Sequence, residues 1–149
     1  MKKTWKVIGI VAFWVTWPAL WVYLHMGKRT RALIICGDEF LALKAWYGSD
    51  VFILPGGGLH RGENSLQGLI REVHEETGIE LYEKDVRFLF SKTDGPVSYD
   101  AFEVRLGQKP VIRPQRGEIR DYAWLPLGNP PRRVNDDVRL VLDHWKANG

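Results

Sequence analysis

A single cysteine, Cys36, stands in the 149 residues, so the chain can form no internal disulfide and nothing in its cysteine usage calls for an oxidising compartment. Its position in an apolar run suits a small buried hydrophobe. Zinc spacing is also missing: His60, His74 and His144 have no Cys or His partners at the intervals a tetrahedral site needs. A structural or surface role is the expectation for each, with His60 alone close enough to a glycine loop to reach a ligand. No Gly-Lys-Ser/Thr follows that loop, which excludes a Walker-type phosphate cradle. Neither an internal repeat nor a low-complexity tract interrupts the sequence.

Acid is absent from the first 31 residues, which carry Lys2, Lys3, Lys6, Lys28, Arg29 and Arg31. Removing these six bases leaves 15 against 18 acids, so the overall +3 belongs to the N-terminus and the remainder is net negative. A net-negative remainder argues against nonspecific nucleic-acid binding, and no specific nucleic acid is expected as a partner. Basic flanks instead suit anionic lipid headgroups.

Between those flanks, residues 7–26 are uncharged, a length of 20 that crosses about 30 Å of hydrocarbon as a helix. Trp5, Trp21 and Tyr23 stand near its ends, where amphipathic aromatics favour the interface. Pro18 kinks such a helix without preventing a span. A cleaved signal peptide fits less well, because no small-x-small site follows. The expectation is a single-pass anchor over residues 1–29 and one further domain over residues 30–149. Basic residues are nearly balanced across the span, so charge alone does not orient it. A lone thiol suits a reducing environment, which favours a cytoplasmic domain at the cell membrane.

The downstream domain reads as a mixture of strands and helices. Apolar runs at residues 31–36 and 39–44 surround Gly37-Asp38, a hairpin signal. Residues 86–91, 97–106 and 118–126 read as further strands, and 51–54 as a strand leading into Pro55-Gly56-Gly57-Gly58. Asn135 caps a last helix over residues 136–146. This order predicts an α/β fold, a mixed sheet sandwiched between helices.

The most informative segment is residues 54–79, LPGGGLHRGENSLQGLIREVHEETGI. Its helix starts at Asn64 or Ser65 and ends at Gly78. Leu66, Leu69, Ile70, Val73 and Thr77 gather on one arc to face a core, while Glu72, Glu75 and Glu76 share an acidic edge. Acidic helix faces are usually just solvated. Here the like charges at i, i+3 and i+4 repel, and carboxylate oxygens suit hard ions such as Mg²⁺ or Mn²⁺. Successive glycines let backbone approach a phosphate or metal without side-chain obstruction.

Gly57, Glu63, Arg71, Glu72, Val73, Glu75, Glu76, Gly78 and Ile79 fall at G-x5-E-x7-R-E-U-x-E-E-x-G-U, with U aliphatic. The segment resembles the Nudix box at all nine specified positions. At average residue frequencies the seven fixed identities coincide by chance in roughly one window in 10⁸ to 10⁹, so coincidence is not a useful alternative. Resemblance to Nudix hydrolases implies a Nudix-like α/β/α sandwich and divalent metal that directs water at a pyrophosphate phosphorus of a nucleoside diphosphate-linked small molecule. It implies metal-binding roles for Glu72, Glu75 and Glu76, with the Gly56 carbonyl as a further ligand. Arg71 resembles the arginine that orients a glutamate by ion pairing, and Glu63 a residue that positions helix and loop. Glu118 lies outside the box, where some members place an additional carboxylate. A catalytically silent nucleotide-binding module of the same fold remains the alternative, followed by a purely structural membrane protein. Trp46, Tyr47 and Phe52 are candidates for stacking a nucleobase or for the core, and Arg61, Arg113 and Arg116 for holding distal phosphates.

Overall fold

The computed structural model describes residues 27–46 and 50–148. The span expected over residues 7–26 lies outside them, as does Tyr47. Among the described residues no helix is long and apolar enough to cross a membrane.

Strand β1 (Gly27–Cys36) and β2 (Glu39–Ala45) form the expected hairpin, with Cys36 opposite Glu39 and Gly37 in the left-handed region at φ 59°. Helix α1 (Ser65–Thr77) follows the glycine loop. After a 3-10 turn at Glu83–Asp85 come β3 (Val86–Asp94), β4 (Val97–Arg105) and β5 (Ile119–Pro126), and helix α2 (Asp136–Asn148) closes the domain. The sheet order is β3-β4-β1-β2-β5, with β1 parallel to β4 and every other neighbour antiparallel. The expected mixed sheet is present.

Both faces of β1 are covered, which explains its nearly continuous apolar stretch Ala32, Leu33, Ile34 and Ile35. Ala32 and Ile34 join Leu41, Leu43, Phe102 and Val104 beneath Leu69 and Val73 of α1. Leu33 and Ile35 face the opposite way, with Phe40, Ala42 and Ala101 against Val138, Val141 and Leu142 of α2. The result is one sheet between two helices.

Three local expectations change. Residues 51–54 make no regular strand: Ile53 bridges Leu43 and Phe52 bridges Val134, as isolated pairs. Cys36 ends β1 half-buried and free, because the last strand residue lies beside the hairpin turn rather than under a helix. The β3–β4 pairing extends to Asp94 and Val97, confining the turn to Gly95-Pro96.

Lys28 and Arg29, read above as flank, lie within β1. Lys28 Nζ stands 2.8 Å from Asp100, whose buried carboxylate also accepts the Ser91 hydroxyl at 2.5 Å.

Candidate active site

Local chemistry fixes both ends of α1. Asn64 Oδ1 accepts the Gln67 N–H at 2.9 Å, and Gln67 Oε1 accepts the Asn64 N–H at 3.2 Å. This capping box satisfies two otherwise orphaned donors. Gly78 closes the helix at φ 75°, its N–H donating to the His74 carbonyl.

The glycine loop is stitched to β1. Thr30 N–H donates to the Gly57 carbonyl at 2.9 Å, Ala32 N–H to the Pro55 carbonyl at 2.8 Å, and Leu59 N–H to the Lys28 carbonyl at 3.2 Å. Gly56 takes φ 135°, and a Cβ there would lie 2.2 Å from the Thr30 carbonyl oxygen. At Gly57 a Cβ would come within 2.8 Å of all three carboxylate heavy atoms of Glu72. Glycine at these two positions is therefore what lets the loop lie against both β1 and the acidic helix.

The three helix carboxylates have different surroundings. Glu76 is 6 % exposed, and its Oε2 accepts the Gly56 N–H at 2.8 Å. Burial, reinforced by the negative charges of Glu72 and Glu118, pushes its pKa up to about 8 against the Gly56 hydrogen bond and the Arg31 charge. Glu72 is largely buried and Glu75 half-exposed, and Arg71 Nη1 lies between them at 2.7 and 3.2 Å. The shared acidic edge is thus split, with Glu76 turned into the protein and Glu75 toward solvent.

Arg71 ties this edge to the loop. Its Nε and Nη2 donate to the two carboxylate oxygens of Glu63, each at 2.9 Å, and Nη2 also donates to the Gly58 carbonyl at 3.0 Å. Glu63 additionally accepts the His60 N–H at 2.8 Å. The fork from Arg71, more than the His60 bond, holds the Glu63 carboxyl down at about 2. Glu63 thus has the loop-positioning geometry expected of it.

Glu118 is exposed, yet its charge reaches Glu76. The preceding loop brings it there: Gln115 N–H approaches the Glu76 carbonyl at 3.3 Å, and Glu118 N–H donates to the Gln115 carbonyl at 3.2 Å. If Glu118 acts on the reaction, Glu118→Ala lowers kcat by about tenfold or more and changes KM less. Steady-state kinetics showing both constants unchanged would return it to ordinary surface charge.

The other sequence candidates are more dispersed. Trp46 is 55 % exposed beside the 115–118 loop, its N–H donating to the Glu118 carbonyl, while Phe52 is half-buried beneath Lys44. His60, His74, Arg61, Arg113 and Arg116 are exposed, and His144 lies against the Phe90 ring at 4.3 Å.

A cleft of about 500 Å³ opens where β1 begins, lined by Arg29, Arg31, Asp94, Tyr99, Asn135 and Asp137 among others. Arg31 Nε stands 3.6 Å from Asp137. Burial and then the like charge of Arg31 lower the Arg29 pKa, partly offset by Asp137 and Glu72. The Tyr99 hydroxyl is buried without a hydrogen-bond partner among the described residues, and burial pushes its pKa up to about 12. An anionic ligand would relieve the like charge that Arg31 places on Arg29. Arg29 and Arg31, basic residues that suit a membrane flank, instead alternate along β1 and line this cleft.

Donor chemistry decides whether these residues suit a divalent ion. Among the described residues no group of three or more His, Cys, Asp or Glu side chains stands ready as a coordination cage. The set nevertheless fits a hard cation: Glu76 is a buried carboxylate set among negative charges, and Mg²⁺ ordinarily completes its sphere with waters and substrate oxygens.

A family model described as the NUDIX domain matches residues 26–144, most of the chain. The chain belongs to the Nudix family. The RNA pyrophosphohydrolase of Photobacterium profundum is 30% identical over 145 residues, an alignment covering 77% of this chain and 81% of that protein. That of Sodalis glossinidius is 29% identical over 143 residues, with the same coverage. Among solved structures, a bifunctional NMN adenylyltransferase/ADP ribose pyrophosphatase from Francisella tularensis, complexed with AMP and Mn ion, aligns with a TM-score of 0.71 at 22% identity. It covers 91% of this chain and 46% of that one. The MutT NUDIX hydrolase of Burkholderia pseudomallei gives a TM-score of 0.69 at 19% identity over 80% of this chain and 98% of that one. These structural likenesses establish the Nudix fold, and the family match accounts for the box.

Proposed function

We propose that this Nudix protein is a divalent-metal-dependent pyrophosphohydrolase acting on a nucleoside diphosphate-linked small molecule, anchored at the cell membrane by residues 7–26 with its catalytic domain in the cytoplasm. The observation that carries the hydrolase reading is the buried Glu76 carboxylate, held on the Gly56 N–H within reach of the charges of Glu72 and Glu118. Such a carboxylate is costly to keep unless a cation joins it.

Glu72, Glu75, Glu76 and the Gly56 carbonyl would hold a divalent ion, which supplies Lewis acidity to a phosphate oxygen and lowers the pKa of water. The chain's own residues do the rest. Arg71 braces Glu72 and Glu75 while locking the loop through Glu63. Gly57 leaves room for backbone beside Glu72. Arg29 and Arg31 line the adjoining cleft as phosphate contacts, with Tyr99 beside them.

A panel of ADP-ribose, nucleotide sugars, dinucleotides, nucleoside triphosphates and 5′-phosphorylated RNA, assayed with Mg²⁺ or Mn²⁺, tests the activity. Metal-dependent release of a monophosphate or pyrophosphate supports it; nucleotide binding without turnover identifies a silent module instead. The anchor has its own test. The full-length chain should stay with membranes through high-salt and alkaline washing, which release electrostatically held proteins but not a spanning helix. Recovery of the intact chain in the soluble fraction removes the anchor and leaves the hydrolase reading standing. In intact cells the C-terminus should resist external protease, and its cleavage would reverse only the orientation.

A further inference from the structure

The glycine loop and the acidic helix sit at the end of the sheet where β1 begins. Lys28 and Thr30 make the backbone bonds that hold Leu59 and Gly57, and Gly57 lies against Glu72. Gly27, which opens β1, follows directly on the uncharged run of residues 7–26. Four residues of extended chain reach at most about 13 Å at 3.3 Å each. The headgroup layer on each side of a bilayer is about 5–8 Å thick. If the run spans the membrane, its junction with β1 keeps this end of the sheet close to the headgroups. A site for a freely diffusing nucleotide has no need of that tether.

The cleft has matching features. Arg29 and Arg31 enter it from the first five residues of β1, and Val97, paired with Gly27, brings the Gly95-Pro96 turn to the same end. Its volume of about 500 Å³ suits a nucleoside phosphate rather than a pair of acyl chains. A substrate whose diphosphate lies at headgroup level places its polar half in the cleft while its apolar half stays in the bilayer.

We propose that the substrate is a nucleoside diphosphate linked to a membrane lipid, hydrolysed at the bilayer surface with its apolar chains still embedded. This rests on the anchored-hydrolase reading above. Water's oxygen forms a bond to one phosphorus as the bridging P–O bond breaks, and water's protons pass to the two products or to solvent. The products are a nucleoside monophosphate, which leaves, and a lipid monophosphate, which remains in the membrane. No other reactant is required.

The test uses the full-length chain in phosphatidylcholine vesicles carrying CDP-diacylglycerol, with Mg²⁺ present. CDP-glycerol and ADP-ribose serve as soluble comparators. A variant with four Glu-Ala-Ala-Ala-Lys repeats inserted between Met26 and Gly27 lifts the domain about 30 Å on a semi-rigid helix. The wild type should favour CDP-diacylglycerol over CDP-glycerol by about tenfold or more in kcat/KM, through the raised effective concentration. The spacer variant should lose that advantage while hydrolysing the soluble probes at the wild-type rate, which also shows that it folds. Turnover of either soluble probe with none of the lipid probe overturns the inference and leaves the hydrolase intact. An unchanged lipid rate in the spacer variant overturns it too. Failure of the chain to float with vesicles removes the anchor, and with it this inference, whereas silence toward all three probes also counts against the hydrolase reading.

Discussion

At pH 8 and without metal, the Glu76→Gln protein is expected to be more stable than the wild type by a few kcal/mol, yet at least about 10²-fold less active when metal is supplied. The stability term follows from the Glu76 pKa, raised to about 8 from an ordinary 4.5, chiefly by burial. Between those values the native state binds more protons than the unfolded state, so unfolding free energy falls as pH rises. The wild type without metal should lose stability from pH 5 to pH 8, then level off. Glutamine keeps the size and an acceptor for the Gly56 N–H but carries no charge, so this decline should largely disappear. The carboxyls held low, Glu63 among them, are ionised in both states over this window and do not mask the effect. Thermal melts at both pH values, with and without Mg²⁺, read the stability side; Mg²⁺ should stabilise the wild type and not Glu76→Gln. Near-normal turnover of that variant at limiting Mg²⁺ would remove Glu76 from the metal site.

The second large effect is expected at Gly56. A Cβ there meets the Thr30 carbonyl oxygen at 2.2 Å, and φ 135° is a backbone conformation L side chains rarely adopt. Backbone strain of about 1–3 kcal/mol adds to a clash with an atom that cannot swing away, for a loss of about 4 kcal/mol or more. Gly57→Ala provides the contrast. Its new methyl meets the Glu72 carboxylate, the far end of a flexible side chain, so Glu72 moves and activity should fall with less loss of stability. Chemical denaturation of the two variants separates these outcomes. A Gly56→Ala protein as stable as wild type would mean that the loop is not held against β1.

The difference between what could and could not be read in the sequence has a physical pattern. The ends of α1 were legible because Asn64 and Gly78 act on the helix turn next to them; the return bond from Gln67 that completes the capping box is seen only in the structure. The apolar runs of β1 and β2 and the dipeptide between them announced the hairpin for the same local reason. Residues 51–54 looked like a strand because they are apolar, but their backbone partners, Leu43 and Val134, are not sequence neighbours and provide only isolated bridges. The cleft depends on β1 lying parallel to β4 and on α2 starting beside them, which brings Arg31, Tyr99 and Asp137 together across more than a hundred residues. Periodicity placed Glu72, Glu75 and Glu76 on one arc of α1; which end of that arc turns inward is fixed by packing against the sheet. Hence Glu76 is buried while Glu75 meets solvent.

The most direct test of the hydrolase claim is a hydrolysis reaction in ¹⁸O-labelled water, run on ADP-ribose and the lipid probe with metal removed by chelation and then restored. No turnover is expected under chelation, with recovery on adding Mg²⁺ or Mn²⁺ and ¹⁸O in the phosphate of one product only. Undiminished turnover without a divalent ion, or tight nucleotide binding with no labelled product under any metal, would contradict that claim.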